Sequence, residues 1–317
     1  MMISVVCPIF NEIKYIDKII DFCKESKPFE KEVFLIDGGS NDGTVERIKE
    51  RIASDRRFVI LENPDKYVPQ ALNKAIGMAK GDYIIRLDAH SEYAPDYFEA
   101  VLKTFADSGA DIVGGSMRIA KGSSLQDAIG YATSTAFGVG DSSFHYEDYE
   151  GFTDTVYLGA WKRSIFETTG LFDVELKRNQ DDEFHYRAKS KGFKIYQSRI
   201  IKLYYHPRNS ISTLFSQYYQ YGLFKPIVLK KVKTEIKIRH LIPSLFCLYL
   251  LAFPLYIIFK IYYLFIFFIL YILIDLIFCM RSKRILPIMT SIFIVYPVLH
   301  IAYGSGFISG LRKLFRK

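Results

Sequence analysis

With 317 residues, 50% hydrophobic and 24% charged, the chain has material for a full globular core and a further apolar region. The net charge of +8 is unevenly placed: residues 1–200 hold 26 Lys and Arg against 32 Asp and Glu, net −6, and residues 201–317 hold 16 against 2, net +14. A basic, aromatic, apolar C-terminal third excludes an evenly solvated surface as the origin of that charge and points to an anionic membrane surface, not to nucleic acid.

Through residue 120, short apolar runs alternate with amphipathic stretches. The pattern predicts strands at 3–9, 32–37, 57–61, 82–88 and 111–115, and helices at 13–26, 43–54, 68–80 and 95–108. Such alternation specifies an α/β fold, a mostly parallel, Rossmann-like sheet sandwiched by helices. Residues 121–160, rich in Gly, Ser, Thr and aromatics without a period, read as a long functional loop. A helix at 180–191, a short strand near 194–198 and a helix at 210–224 follow.

From Leu241 the character changes. Leu241 to Phe259 carries no charge and Ile261 to Met280 carries only Asp275, so each has the length of a transmembrane helix. Lys260 alone separates them, which demands a very tight hairpin apex or a lysine reaching to the interface. Lys225, Lys230, Lys231, Lys233, Lys237 and Arg239 precede the first span and Arg281, Lys283 and Arg284 follow the second, placing both clusters on the cytoplasmic side. A third stretch, Ile285 to Tyr303, reads equally as a re-entrant or interfacial segment or as a third span, because full crossing would put the basic tail 312–317 outside. Gly306 and Gly310 have the spacing of a helix-packing pair. Cys7, Cys23, Cys247 and Cys279 lack metal-site spacing and read as core or lipid-facing thiols in a reducing compartment. The N-terminus lacks the pattern of a cleaved signal peptide, so the N-terminal domain is expected in the cytosol.

The chemistry concentrates at strand ends. Tyr83-Ile84-Ile85-Arg86-Leu87 runs into Asp88-Ala89-His90, whose carboxylate and imidazole suit one divalent cation, Mn2+ or Mg2+. Ile9-Phe10-Asn11-Glu12 and Ile36-Asp37-Gly38-Gly39-Ser40 end two earlier strands in the same way, and the carboxyl ends of parallel strands line one crevice. Gln180-Asp181-Asp182-Glu183 opens a helix. These acids complement the helix dipole, and a carboxylate held there near a metal diphosphate also suits a general base. Gly159-Ala160-Trp161 supplies a small and aromatic pocket wall. Gly38-Gly39-Ser40 lacks the Gly-x-Gly-x-x-Gly turn of a dinucleotide oxidoreductase.

In that order these motifs resemble those of the family 2 glycosyltransferases over roughly residues 3–225. His206-Pro207-Arg208, Gln217-Tyr218-Tyr219-Gln220-Tyr221-Gly222 and His300-Ile301-Ala302-Tyr303-Gly304-Ser305-Gly306 resemble the membrane-attached members of exopolysaccharide assembly, of the succinoglycan glucosyltransferase kind. The resemblance implies a GT-A fold at 1–224, a basic juxtamembrane segment at 225–240, a membrane region at 241–310 and a basic tail at 311–317. It implies inverting transfer from a nucleotide sugar, UDP-linked in expectation, to a polyprenyl-linked saccharide at the inner membrane. The protein would be multi-pass with its catalytic domain cytoplasmic, and other polysaccharide-assembly enzymes are potential partners.

By position, the resemblance puts Glu12 and Asp37 at the base and ribose and Asp88 at the diphosphate; Pro8, Asn11, Gly38 and Asn73 are counted with the nucleotide site, although Asn73 reads first as a structural cap of a nearby helix. Asp88 and His90 would hold the metal, Asp181 would be the base with Asp182 in competition, and Gly159, Trp161 and Gln217 would face the acceptor. Two positions depart from the family pattern. Gln180 stands where Glu is usual, and His90 replaces the second Asp of Asp-x-Asp, a change that favours Mn2+ and leaves Glu92 as a further oxygen ligand. Two rivals are transfer directly onto polyprenyl phosphate and a non-catalytic nucleotide-sensing membrane module.

Overall fold

The computed structural model describes residues 2–140, 143–233 and 238–315, with the backbone alone at Arg239. Lys237, Arg316 and Lys317, counted above among the basic residues, lie outside the described residues. The strands are β1 (Ile3–Ile9), β2 (Lys31–Asp37), β3 (Phe58–Glu62), β4 (Tyr83–Arg86), β5 (Glu92–Tyr93), β6 (Ile112–Ile119), β7 (Gly151–Phe152), β8 (Tyr157–Lys162) and β9 (Ile195–Tyr205). The helices are α1 (Ile16–Glu25), α2 (Thr44–Ile52), α3 (Val68–Met78), α4 (Tyr97–Ser108), α5 (Ser124–Thr133), α6 (Ala136–Val139), α7 (Ile165–Thr169), α8 (Gln180–Ser190), α9 (Ile211–Val232), α10 (Ile238–Leu251), α11 (Phe253–Ile258), α12 (Ile266–Arg281) and α13 (Leu286–Phe315). They form two compact units, each built from two pieces of chain: Met1–Arg118 with Ser143–Tyr205, and Ile119–Ser142 with His206–Lys317.

The first unit is built on one mixed sheet in the order β3-β2-β1-β4-β8-β6-β9-β5, with β7 on β9. Strands β3, β2, β1 and β4 are parallel, and β8 runs antiparallel to both β4 and β6. Both faces of the parallel half are covered, so its strands read as continuous apolar runs and not as alternation. Val5, Val33 and Leu35 pack with Ile16, Ile20 and Phe98, while Val6, Phe34 and Ile84 pack with Leu72, Trp161, Phe172 and Phe184. Since β2 and β4 lie on opposite sides of β1, the carboxyl ends of β1 and β4 flank the switch point where such sheets form their crevice.

The loop expected at 121–160 is partly helical and partly sheet. Ser123 accepts from the Gln126 N–H while the Gln126 side chain reaches back to Ser123, a capping box that starts α5. Within 151–162, β7 and β8 join the sheet, and β8 lies between β4 and β6.

In the second unit α13 is the hub against which α5, α9, α10 and α12 pack. The first apolar stretch is not one helix: it breaks between α10 and α11, where Pro254 enters the first turn of α11. The hairpin apex at Lys260 is as tight as its single residue requires, with φ +54° and the Ile261 N–H bonded to the Tyr256 carbonyl at 2.8 Å. Tyr262–Arg281 and Leu286–Phe315 are each long and apolar enough to cross a membrane. The latter runs unbroken through Pro297, without the chain reversal that a re-entrant segment needs. Asp275 does not face outward; it is fully buried and accepts the Cys279 thiol at 3.3 Å. His300 is likewise interior, its Nε2 2.7 Å from the Phe137 carbonyl and its Nδ1 2.9 Å from the Tyr271 hydroxyl. All four cysteines are free and buried.

Glycines let α9 and α13 touch backbone to backbone. A Cβ at Gly306 would stand 2.1 Å from the Tyr219 carbonyl oxygen, and one at Gly222 2.1 Å from that of Tyr303. Backbone cannot give way as a side-chain tip can. Gly306→Val is therefore expected to destabilise the helical unit by about 3 kcal/mol or more, read as a lower unfolding temperature in detergent. Parent-like unfolding would show that the helices are not so closely apposed.

Candidate active site

The site grows from the carboxyl ends of β1, β2 and β4. After β1, Asn11 takes a left-handed conformation (φ +56°), its N–H donates to Ser40 Oγ at 2.8 Å, and its side-chain oxygen accepts the Asn41 N–H at 2.9 Å. The Glu12 N–H donates to Thr44 Oγ1 at 3.0 Å. Asp37, buried at the end of β2, accepts from the N–H groups of Gly39 and Ser40, and the Gly38 N–H donates to the Ile9 carbonyl at 2.8 Å. Pro8, half-buried within β1, pairs in register with Ile36. The two turns are thus tied into one platform.

At β4, a buried cation in an otherwise apolar strand organises the acids. Arg86 donates from Nε to Asp88 Oδ1 at 3.1 Å and from Nη1 to Asp181 Oδ2 at 2.7 Å, with its own side chain only 8% exposed. Asp88 and Asp181, 93 positions apart in sequence, therefore share one guanidinium. Burial opposes the charge on Arg86 and the carboxylates of Asp181 and Asp88 favour it, leaving its pKa above the ordinary value. Beneath it, the Tyr93 hydroxyl accepts the Asp88 N–H at 2.7 Å. Arg86 was not among the residues singled out from sequence. The signal was available: a charged residue inside a buried strand requires partners.

His90 Nδ1 lies 2.9 Å from Glu12 Oε1, which joins the ends of β4 and β1. Glu92 lies 3.8 Å from Lys18. Among the described residues no three His, Cys, Asp or Glu side chains form a preformed metal cage. This fits a cation that substrate phosphates complete, since Mg2+ and Mn2+ in such sites take one or two protein ligands and fill the rest from the diphosphate. Asp88 and His90, both at the carboxyl end of β4, are the side chains that would contribute.

Helix α8 supplies the remaining acids. Asp181 occupies its first turn with 31% of its side chain exposed, Oδ2 toward Arg86 and Oδ1 buried without a hydrogen-bond partner. The Gln180 amide stands 3.4 Å from Asp181 Oδ2, and Asp182 follows half-buried on the same turn. Glu183 points away and chelates Arg187 through both oxygens.

Three further residues singled out from sequence have the following settings. Asn73 caps no helix: it sits inside α3 and both ends of its amide bond the Phe172 backbone, at 2.8 and 2.9 Å, fastening α3 to the loop before α8. Trp161 is fully buried, packed edge-on against Phe172 and Phe184, and belongs to the core and not to a pocket wall. Gln217 belongs to the helical unit, bonded to Arg208 at 3.3 Å and to Tyr221 at 3.0 Å.

The fold agrees with comparisons to known proteins. Over 242 residues the chain is 29% identical to the succinoglycan biosynthesis protein ExoA of Rhizobium meliloti, covering 75% of this chain and 73% of that one. It is 30% identical over 241 residues to a dolichyl N-acetyl-alpha-D-glucosaminyl phosphate 3-beta-D-2,3-diacetamido-2,3-dideoxy-beta-D-glucuronosyltransferase of Methanococcus voltae, covering 72% and 74%. Among solved structures it shares the fold of the mannosyltransferase PcManGT from Pyrobaculum calidifontis, in complex with GDP-Man and Mn2+ (TM-score 0.63, 15% identity, 98% of this chain and 87% of that one). TarS 1-349 of S. aureus in complex with UDP-GlcNAc aligns at TM-score 0.54 and 13% identity, over 99% and 92%. The family model for glycosyl transferase family 2 matches residues 4–170, and the chain belongs to that family of glycosyltransferases.

Proposed function

We propose that this glycosyltransferase moves a sugar, with inversion, from a nucleotide-diphosphate donor to a lipid-linked saccharide at the cytoplasmic face of a membrane, in the synthesis of a surface polysaccharide. The observation that carries this reading is the shared guanidinium: Arg86 holds Asp88, on the donor side, one side chain away from Asp181, the proposed base. An acceptor hydroxyl seated at Asp181 is then within reach of a sugar whose diphosphate lies at Asp88. Of the two acids in competition, Asp181 is favoured because it carries the Arg86 contact.

Asp88 and the His90 imidazole would hold a divalent cation. When bound, it neutralises charge on the departing diphosphate. The residues of the chain do the rest. Glu12 fixes the His90 ring, the Asn11 and Asp37 turns provide the edge on which base and ribose rest, and Asp181 removes the proton from the attacking hydroxyl. The relatives support the substrate classes. The Methanococcus voltae enzyme is named for a dolichyl-linked saccharide acceptor, the Rhizobium protein for a polysaccharide, and the solved structures carry UDP- or GDP-sugars. Membrane attachment is supported by the exposed apolar side chains of α10 to α12, among them Leu245, Leu248, Ile258, Phe259 and Phe267. Basic residues at Lys230, Lys231, Lys233, Arg281, Lys283 and Arg284 flank that surface.

The test is a screen of UDP- and GDP-sugars with purified protein in lipid, with and without Mn2+, against lipid-linked saccharide and bare polyprenyl phosphate. Transfer of one donor to the saccharide is the expected result, and Asp88→Ala should remove the cation-dependent part of donor binding. Transfer only to polyprenyl phosphate would replace the acceptor assignment, and cation-independent binding unchanged by Asp88→Ala would remove Asp88 from its role.

A further inference from the structure

Three polar atoms on α8 and β8 are buried without hydrogen-bond partners: Oδ1 of Asp181, Nε2 of His185 and Nε1 of Trp161. Unsatisfied atoms of this kind are rare in a folded interior, and three on one face of a sheet call for a common explanation. Asp181 and His185 are four residues apart on α8, the spacing that brings side chains together on one helix face. The imidazole is completely buried, and its Nδ1 is taken by Thr155 Oγ1 at 2.8 Å. On the sheet beneath, Ile84 pairs with Trp161 and Ile85 with Ala160, so one step further along the register Gly159 comes beside Arg86. A Cβ at Gly159 would stand 3.5 Å from His185 Nε2 and 2.9 Å from the Trp161 ring. The glycine thus leaves room beside the Trp161 ring and His185 Nε2, next to Arg86 in the register.

We propose that His185 is a positioning residue for Asp181. Thr155 donates its hydroxyl proton to Nδ1, Nε2 carries the imidazole proton, and Nε2–H donates to Asp181 Oδ1 across one water molecule. Asp181 is then held by both oxygens, Oδ2 by Arg86 and Oδ1 by His185, and the acceptor's hydroxyl hands its proton to Oδ2 in place of the long 3.4 Å Gln180 contact. The neutral state this requires agrees with the surroundings: burial pushes the His185 pKa down, and Asp181 and Asp182 offset that only in part. The inference rests on Asp181 being the base.

Two substitutions and one spectrum test it. His185→Phe keeps a ring and removes both nitrogens; kcat should fall roughly 10- to 100-fold while KM for the nucleotide sugar stays within about twofold. His185→Gln places an amide N–H near the same position and should recover most of the loss. If Asp181→Asn leaves transfer intact, the base assignment itself fails. If Asp181→Asn is inactive while folded His185→Phe turns over like the parent, or His185→Gln is no better than His185→Phe, the positioning role fails alone. Should His185→Phe not fold, the imidazole 15N shifts of the parent protein decide: protonation at Nε2 is expected, and protonation at Nδ1 would overturn the proposal.

Discussion

Replacing Asp181 by Asn is expected to lower the rate of sugar transfer roughly 100- to 10,000-fold while leaving nucleotide-sugar binding nearly unchanged. The substitution is almost isosteric, and an amide oxygen still accepts from Arg86 Nη1, so the local geometry has little reason to move. What disappears is the ability to take a proton. The split between binding and turnover is the informative part, since a residue that merely braced the donor would raise KM as well. Steady-state kinetics beside direct titration of the donor gives both numbers. Parent-like turnover would shift the base assignment to Asp182, the neighbour on the same helical turn.

A second large effect is expected at Arg86, in stability as well as in rate. Arg86→Met keeps much of the side-chain volume but leaves Asp88 and Asp181 facing each other without their shared cation. Breaking a buried charge network from one side costs about 3 to 5 kcal/mol, so a marked fall in Tm should accompany loss of turnover. Mn2+ should raise the Tm of this variant more than that of the parent, because a divalent cation at Asp88 replaces part of the missing positive charge. Equal Tm for both proteins without metal would mean that the guanidinium contributes little to the fold. An equal Mn2+ effect would separate the cation's binding from Arg86.

How far the sequence could be read depended on how local each signal was. The alternation through residue 120 identifies β1 to β4 and the helices between them, because a parallel sheet covered on both faces writes itself as short apolar runs between amphipathic ones. The carboxylates at strand ends followed from the same pattern, since parallel strands gather their carboxyl ends along one edge. Pairings between distant segments were not legible. Nothing in Tyr83-Ile84-Ile85-Arg86 names Asp181 as the partner of its arginine, and nothing in Asp88-Ala89-His90 says that the imidazole goes to Glu12. The stretch 121–160 misled because the buried face of α5 is mostly Ala, Gly and Thr, with Ile129 its one large apolar side chain, and small side chains carry no strong period. The apolar run at 241–259 misled in the other direction: composition measures apolar length, and Pro254 decides where a helix must begin again.

The helical unit is sewn from two stretches far apart in the chain, and this bears on how the enzyme can be shortened. Ala128, Ile129 and Ala132 of α5 share their core with Ile292, Val295, Tyr296 and Leu299 of α13. A fragment ending at Tyr205, cut to obtain a water-soluble catalyst, would keep α5 and discard the surface that hides it. Its greasy side would then meet solvent, inviting clumping unrelated to any fault in the sheet. A workable soluble form would also have to excise 119–142 and bridge the gap with a short polar linker.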